Sequence, residues 1–130
     1  MPKPIPAAWS VALVLFLTGC GGEDEKPPLE GQSTGATCAS GSSLRYSSFG
    51  RNFFTTYCLR CHSTNASNRR GAPASINFDT VEQIRMHSAR IDELAAAGPN
   101  VENAAMPPSG LIPEYDERLD LGEWLACGAP

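Results

Sequence analysis

The sequence predicts an all-α domain in which three main helices and long loops wrap around a centre that side chains do not fill. Three observations predict it. Apolar residues recur at helical spacing in three separate stretches, no stretch shows a sustained strand alternation, and the segments between the helices carry few large apolar residues. Structureless loops of that length are unusual in a small compact domain. They suggest that something other than protein occupies the core.

The first helix runs from Tyr46 to Tyr57. Tyr46, Phe49, Phe53 and Tyr57 fall on one face, while Ser48, Arg51, Asn52 and Thr55 take the other. The second runs from about Thr80 to Ala97. Two overlapping capping-box signatures open it, Asp79 with Glu82 and Thr80 with Gln83, and Gly98-Pro99 stops it. The third begins at Pro113, a natural first-turn residue, with Glu114, Asp116 and Glu117 near the positive end of the helix dipole. It continues through Leu119, Leu121, Trp124 and Leu125 and ends by Gly128. Between these helices lie the irregular segments Ser63 to Asn77 and Pro99 to Ile112.

The chain of 130 residues has a formal net charge of −4. That length accommodates one small domain. The negative balance argues against nucleic acid as a partner. At the start, Lys3 precedes an apolar run from Ala7 to Leu17 and then Leu17-Thr18-Gly19-Cys20. The run is too brief for a comfortable membrane span, and small residues just before a cysteine suit signal cleavage followed by acylation of the thiol. The expected organisation is a lipoprotein signal peptide over 1–19, a flexible tether over 20–41 starting at lipidated Cys20, and a folded domain over 42–130. The tether is rich in Gly, Pro, Ser and charge, with Leu29 its one large apolar residue. An uncleaved anchor helix and an ordinary secretory signal are the alternatives. Each of the three readings puts the domain outside the cytoplasm, the first as a lipid-anchored protein facing the periplasm. Gly21 stands where an Asp would resemble an inner-membrane retention signal, which favours the outer membrane.

Cys58-Leu59-Arg60-Cys61-His62 is a C-x-x-C-H arrangement placed where the first helix ends. Two thiols about one helical turn apart can add to the two vinyl groups of one porphyrin, and the adjacent imidazole is then positioned to bind the iron. The pattern points to one covalently attached haem c. Zinc would need a fourth ligand, and Cys38, Cys127 and His87 are all distant in sequence. A thiol redox site would need a strand feeding a helix, and the pattern contains no such unit.

With these residues the chain resembles the class I c-type cytochromes from about Tyr46 to Ala126. Gly50, Phe54 and Cys58 match the family's spacing of a Gly and an aromatic before the first haem cysteine, and Leu121-Gly122-Glu123-Trp124-Leu125 is similar to its last helix. The resemblance implies the cytochrome c fold, with the terminal helices crossing at Gly50. It also implies a sixth iron ligand from Met106, in Ala105-Met106-Pro107-Pro108, because the loop resembles the ligand loop of small bacterial members. His plus Met ligation suits electron transfer and raises the potential. His87 competes with Met106, since it projects onto the apolar face of Val81, Ile84, Ile91 and Leu94, whereas Met86 points to solvent with Glu82 and Glu93.

In the family, a Pro carbonyl following a Gly accepts the hydrogen of the ligating imidazole. The stretch Arg70-Gly71-Ala72-Pro73 offers Pro73 for that role, although Ala72 interrupts the pair. Arg69 or Arg70 could meet a haem propionate. Of the five cysteines, one goes to lipid and two to haem. If the terminal helices cross as the resemblance implies, the remaining Cys38 and Cys127 come close enough to pair in an oxidising compartment.

The function expected is a one-electron carrier with redox protein partners, a membrane contact through the N-terminal lipid and no small-molecule substrate. The alternatives are a haem sensor or enzyme with an open or displaceable sixth ligand, and a non-haem metal-binding or structural lipoprotein.

Overall fold

The computed structural model describes Met1 and residues 29–130; the expected signal peptide beyond Met1 and the expected lipidation site Cys20 lie outside the described residues. The first helical stretch opens as a wide π-helical turn, Tyr46–Gly50, closed by the Arg51 N–H on the Tyr46 carbonyl. It continues as α1, Arg51–Tyr57. The late stretch forms α4, Tyr115–Ala126, with Glu114 at its N-cap and a capping box between Glu114 and Glu117. Gly50 is where the two approach. A Cβ there would come within 2.6 Å of Trp124 Cζ2, so only glycine leaves room for the indole. Tyr57 adds a polar tie, its hydroxyl donating to the Glu117 carboxylate at 2.8 Å.

The middle stretch forms two helices, α2, Val81–Met86, and α3, Ser88–Ala95. Thr80 caps α2, its hydroxyl accepting from the Gln83 N–H at 3.3 Å while the Gln83 side chain accepts from the Thr80 N–H at 3.0 Å. His87 separates α2 from α3 with φ −113° and ψ 12°, outside helical geometry.

These elements correct the predicted cytochrome c fold of three main helices. The described residues form a π turn and four short α-helices, which together hold about 37% of those residues. Among those residues the extended structure is one isolated bridge between Ala97 and Glu102. The apolar period runs through the break at His87, because Ile84, Ile91 and Leu94 are all buried, so periodicity does not register the change of direction. The intervening loops hold themselves by side-chain donors, Arg69 and Arg118, instead of by helical ladders.

The core collects Phe53, Phe54, Phe78, Ile84, Ile91, Leu121, Trp124 and Leu125. Phe54 lies at its centre, edge-on to Phe78 at 5.4 Å and tilted against Trp124 at 6.1 Å between ring centroids. Such pairs add roughly 0.5–1.5 kcal/mol each beyond the area they bury.

From residue 29 onward the expected tether is a strap on the domain, which corrects the reading of a flexible segment through residue 41. Thr34 is fully buried. Its backbone N–H and hydroxyl both donate to the Asp92 carboxylate, at 2.9 and 2.5 Å, and its carbonyl accepts from the Asn100 N–H. Asn103 donates to the Gln32 carbonyl at 2.6 Å. The polarity that suggested a tether in sequence is spent on these bonds. Cys38 and Cys127 form a disulfide with Cα atoms 4.6 Å apart and a sequence separation of 89.

Candidate functional site

Cys58 is the C-cap of α1, and its N–H still bonds to Phe54 at 2.9 Å. The chain then makes one more turn around a single carbonyl. The N–H groups of Cys61 and His62 both bond to the Cys58 oxygen, at 3.1 and 2.9 Å, which sets the two cysteines on one turn with the histidine beside them. Both thiols are free and half-buried. Burial pushes the Cys58 thiol up from 9.0 to about 12, with a smaller push from Cys61 and an opposing pull from the Arg118 charge. A thiol held protonated at neutral pH is a weak nucleophile for disulfide exchange.

His62 is held on two sides. Its Nδ1 lies 3.1 Å from the Ile76 carbonyl, and its ring leans on Phe78 with centroids 4.8 Å apart. A carbonyl only accepts, so Nδ1 carries the hydrogen and Nε2 keeps its lone pair. Burial pushes the imidazole below its ordinary value. The Ile76 bond opposes this, and the charges of Arg69 and His87 add to it. The ring is neutral at pH 7 and ready to donate to a metal.

The partner of His62 is therefore Ile76, which corrects the role expected of Pro73. The Pro73 carbonyl accepts instead from the Ile76 N–H at 3.0 Å and from Arg69 at 2.6 Å. Arg69 gathers the whole loop: its guanidinium also donates to the carbonyls of Ser63, Ala72 and Ile76 and to Asn77 Oδ1. That commits Arg69 to the loop. Arg70 is exposed at the turn before Gly71, with φ +52° and its N–H on Asn68 Oδ1 at 2.9 Å. The start of the loop is fixed by Asp79, whose carboxylate accepts from the Ser63 hydroxyl at 2.5 Å and the Thr64 N–H at 2.9 Å; these bonds hold its carboxyl below the usual range.

Met106 is half-buried and packs against the core. Its N–H bonds to the Leu94 carbonyl at 2.8 Å and its own carbonyl accepts from Arg118 at 3.0 Å; the peptide to Pro107 is cis. Two guanidinium groups connect this loop with the C-x-x-C-H turn. Arg60, inside the motif, donates to the Ser109 carbonyl at 3.3 Å. Arg118, bonded to Met106, lies close enough to Cys58 for each to act on the other's ionisation.

His87 packs edge-on against Phe78, at 6.0 Å between centroids, the same phenyl that supports His62. This is a packing contact. Met86 stands away from the site, 73% exposed.

Among the described residues no three His, Cys, Asp or Glu side chains gather closely enough to hold one metal ion. Cys58, Cys61 and His62 therefore do not form the close cluster that a zinc site requires. Two thiols on one turn beside an imidazole with an open Nε2 would suit thioether bonds to two positions of one porphyrin, with the nitrogen on its iron. The donor set fits a covalently held haem.

Ile76 and Arg118 were not legible as site residues, and Arg69 was read for a propionate instead of for the loop acceptors it gathers. For Arg118 a signal existed, because it shares the helical face of Leu121, Gly122 and Leu125, which is the buried one.

No family model matches the chain, and no curated protein or solved structure matches it. Among the described residues no helix is long and apolar enough to cross a membrane.

Proposed function

We propose that this chain is a one-electron carrier with a single covalently bound haem c, held outside the cytoplasmic membrane by lipid on Cys20 and exchanging electrons with protein partners. One observation carries the reading: the C-x-x-C-H turn sets two thiols that are free among the described residues beside an imidazole fixed through Nδ1 to Ile76 with Nε2 left open. The match of Gly50, Phe54 and Cys58 to class I c-type cytochromes supports it residue by residue, and the reading does not depend on their fold.

Cys58 and Cys61 hold the ring by two thioethers, so the cofactor is not lost outside the cell. His62 would bind the iron through Nε2, its basicity raised by the Ile76 carbonyl. Met106 would supply the second ligand, a soft sulfur that favours reduced iron. Arg70, exposed on the loop that carries the His62 partner, would meet a propionate. When bound, the haem iron stores and releases one electron without changing its ligands. No small molecule is transformed and no nucleic acid is engaged.

The test is acid-acetone extraction of the purified protein, followed by spectra of the oxidised and reduced forms with and without carbon monoxide. Pigment that stays with the protein, and a reduced form that excludes carbon monoxide, are expected. Extractable pigment would rule out covalent haem. Rapid carbon monoxide binding would move the reading to a haem sensor or enzyme.

A further inference from the structure

The least expected side chain in the domain is Arg118. It projects from the buried face of α4 and has no exposed surface. Burying a guanidinium is unfavourable unless its hydrogens are well used. Nη1 alone donates to three carbonyls, Ala95 at 2.6 Å, Asn103 at 2.9 Å and Met106 at 3.0 Å. Among the described residues Nε and Nη2 find no hydrogen-bond partner. The nearest carboxylate, Glu102, is half-exposed and 3.9 Å from Nε, beyond hydrogen-bond range. An apolar residue would fill the same space without that penalty, so the fork must be there for the carbonyls it gathers.

Those carbonyls have a common feature. They belong to the end of α3 and to the loop that follows it, up to the residue proposed as sixth ligand. Met106 is fixed at both backbone polar groups, its N–H by Leu94 of α3 and its carbonyl by Arg118 of α4. With both backbone groups held, the point from which its side chain departs is set.

Resting on the haem reading above, we infer that Arg118 is a positioning residue for the sixth ligand: its buried guanidinium fastens the Met106 carbonyl and so keeps the thioether on the iron. Its charge has a second effect. A buried cation beside the attachment turn disfavours the more positive ferric state and raises the reduction potential.

Two substitutions in the haem-loaded protein separate these effects. Arg118→Met removes both the bonds and the charge at similar size, and Arg118→Lys keeps the charge but, one atom shorter, leaves its ammonium short of the place from which Nη1 reaches the three carbonyls. Imidazole added to the oxidised protein should displace the thioether at a concentration at least ten-fold lower in both. The potential should fall in Arg118→Met and fall less in Arg118→Lys. Arg85→Met controls for general loosening, because exposed Arg85 binds the carbonyls of Gly128 and Ala129 at the far end of α4. It should leave imidazole affinity and potential unchanged. Wild-type imidazole affinity in Arg118→Lys overturns the inference, as does an equal shift in Arg85→Met. Arg118→Lys decides alone if Arg118→Met does not fold. Wild-type protein without covalent haem, or without the sulfur-to-iron absorption, overturns the proposed function first and this inference with it. Wild-type protein with both, and variants that behave like it, overturn the inference alone.

Discussion

The Nδ1 atom of His62 lies 3.1 Å from the carbonyl of Ile76, fourteen residues further along the chain. Because that acceptor is backbone, the imidazole's tautomer is set by the loop's path and not by any side chain that could ionise. His62 and Cys58 then bracket the pH range in which the haem-free protein is most stable. The folded state disfavours protonated His62, so its contribution is present above the ordinary imidazole value near 6.5 and is lost as pH falls below it. Cys58 works in the opposite direction. Its folded value near 12 exceeds the ordinary 9.0, so the folded state holds a proton the unfolded chain releases, and stability declines as pH rises from 9.0 toward 12. Urea unfolding of haem-free protein across pH 5 to 11 should therefore show a maximum between about 6.5 and 9. A midpoint still rising at pH 10 would contradict the Cys58 assignment.

Met106→Ala should open the iron to water and carbon monoxide. Met106→His should keep a six-coordinate low-spin haem at a substantially lower potential, since axial ligand identity moves haem potentials over a range on the order of 0.8 V. His87→Ala should do neither, because that ring is packed on Phe78. The sulfur-to-iron absorption of the oxidised protein is the readout: its survival in Met106→Ala, or opening of the iron by His87→Ala alone, would sink the ligand assignment.

Gly50→Ala places a methyl group 2.6 Å from Trp124 Cζ2 and 2.8 Å from Cη2. The indole is wholly buried and cannot swing aside. Overpacking of this kind typically costs about 1–3 kcal/mol. Denaturant titration of the variant should show that loss, and wild-type stability would mean that the two helical stretches do not meet at this glycine.

How much of this was legible in sequence varies from residue to residue. The thiol and imidazole of the C-x-x-C-H turn could be read directly, because the chemistry depends on a local spacing. The contact between Gly50 and Trp124 was approached through family resemblance, which the fold as a whole did not follow. The break at His87 was hidden, since a change of helix direction leaves the apolar period intact on either side. Ile76 was missed for a different reason. Any residue's carbonyl can accept a hydrogen bond, so nothing in the side chain marks the one that will. Thr34 was read as part of a polar linker because its partner, Asp92, is 58 residues away.

Cys38 and Cys127 close a loop whose chain entropy, at a sequence separation of 89, corresponds to about 4–5 kcal/mol in the unfolded state. Replacing both with Ser should lower the free energy of unfolding by an amount of that order, up to about 5 kcal/mol. Unreduced digests of wild-type protein should yield the two peptides linked. Equal stability of the double variant and wild type would show that the bridge does not constrain the unfolded chain.

The same bridge decides how the protein responds to being pulled. Tension between residue 29 and Pro130 runs along the strap to Cys38, crosses the sulfur atoms to Cys127 and leaves by the last three residues. Every residue from 39 to 126 lies off that line. Cys58, Cys61, His62 and Met106 all belong to the unloaded stretch, so a pull on the strap would strain the Thr34–Asp92 contact while leaving the arrangement of those four residues slack.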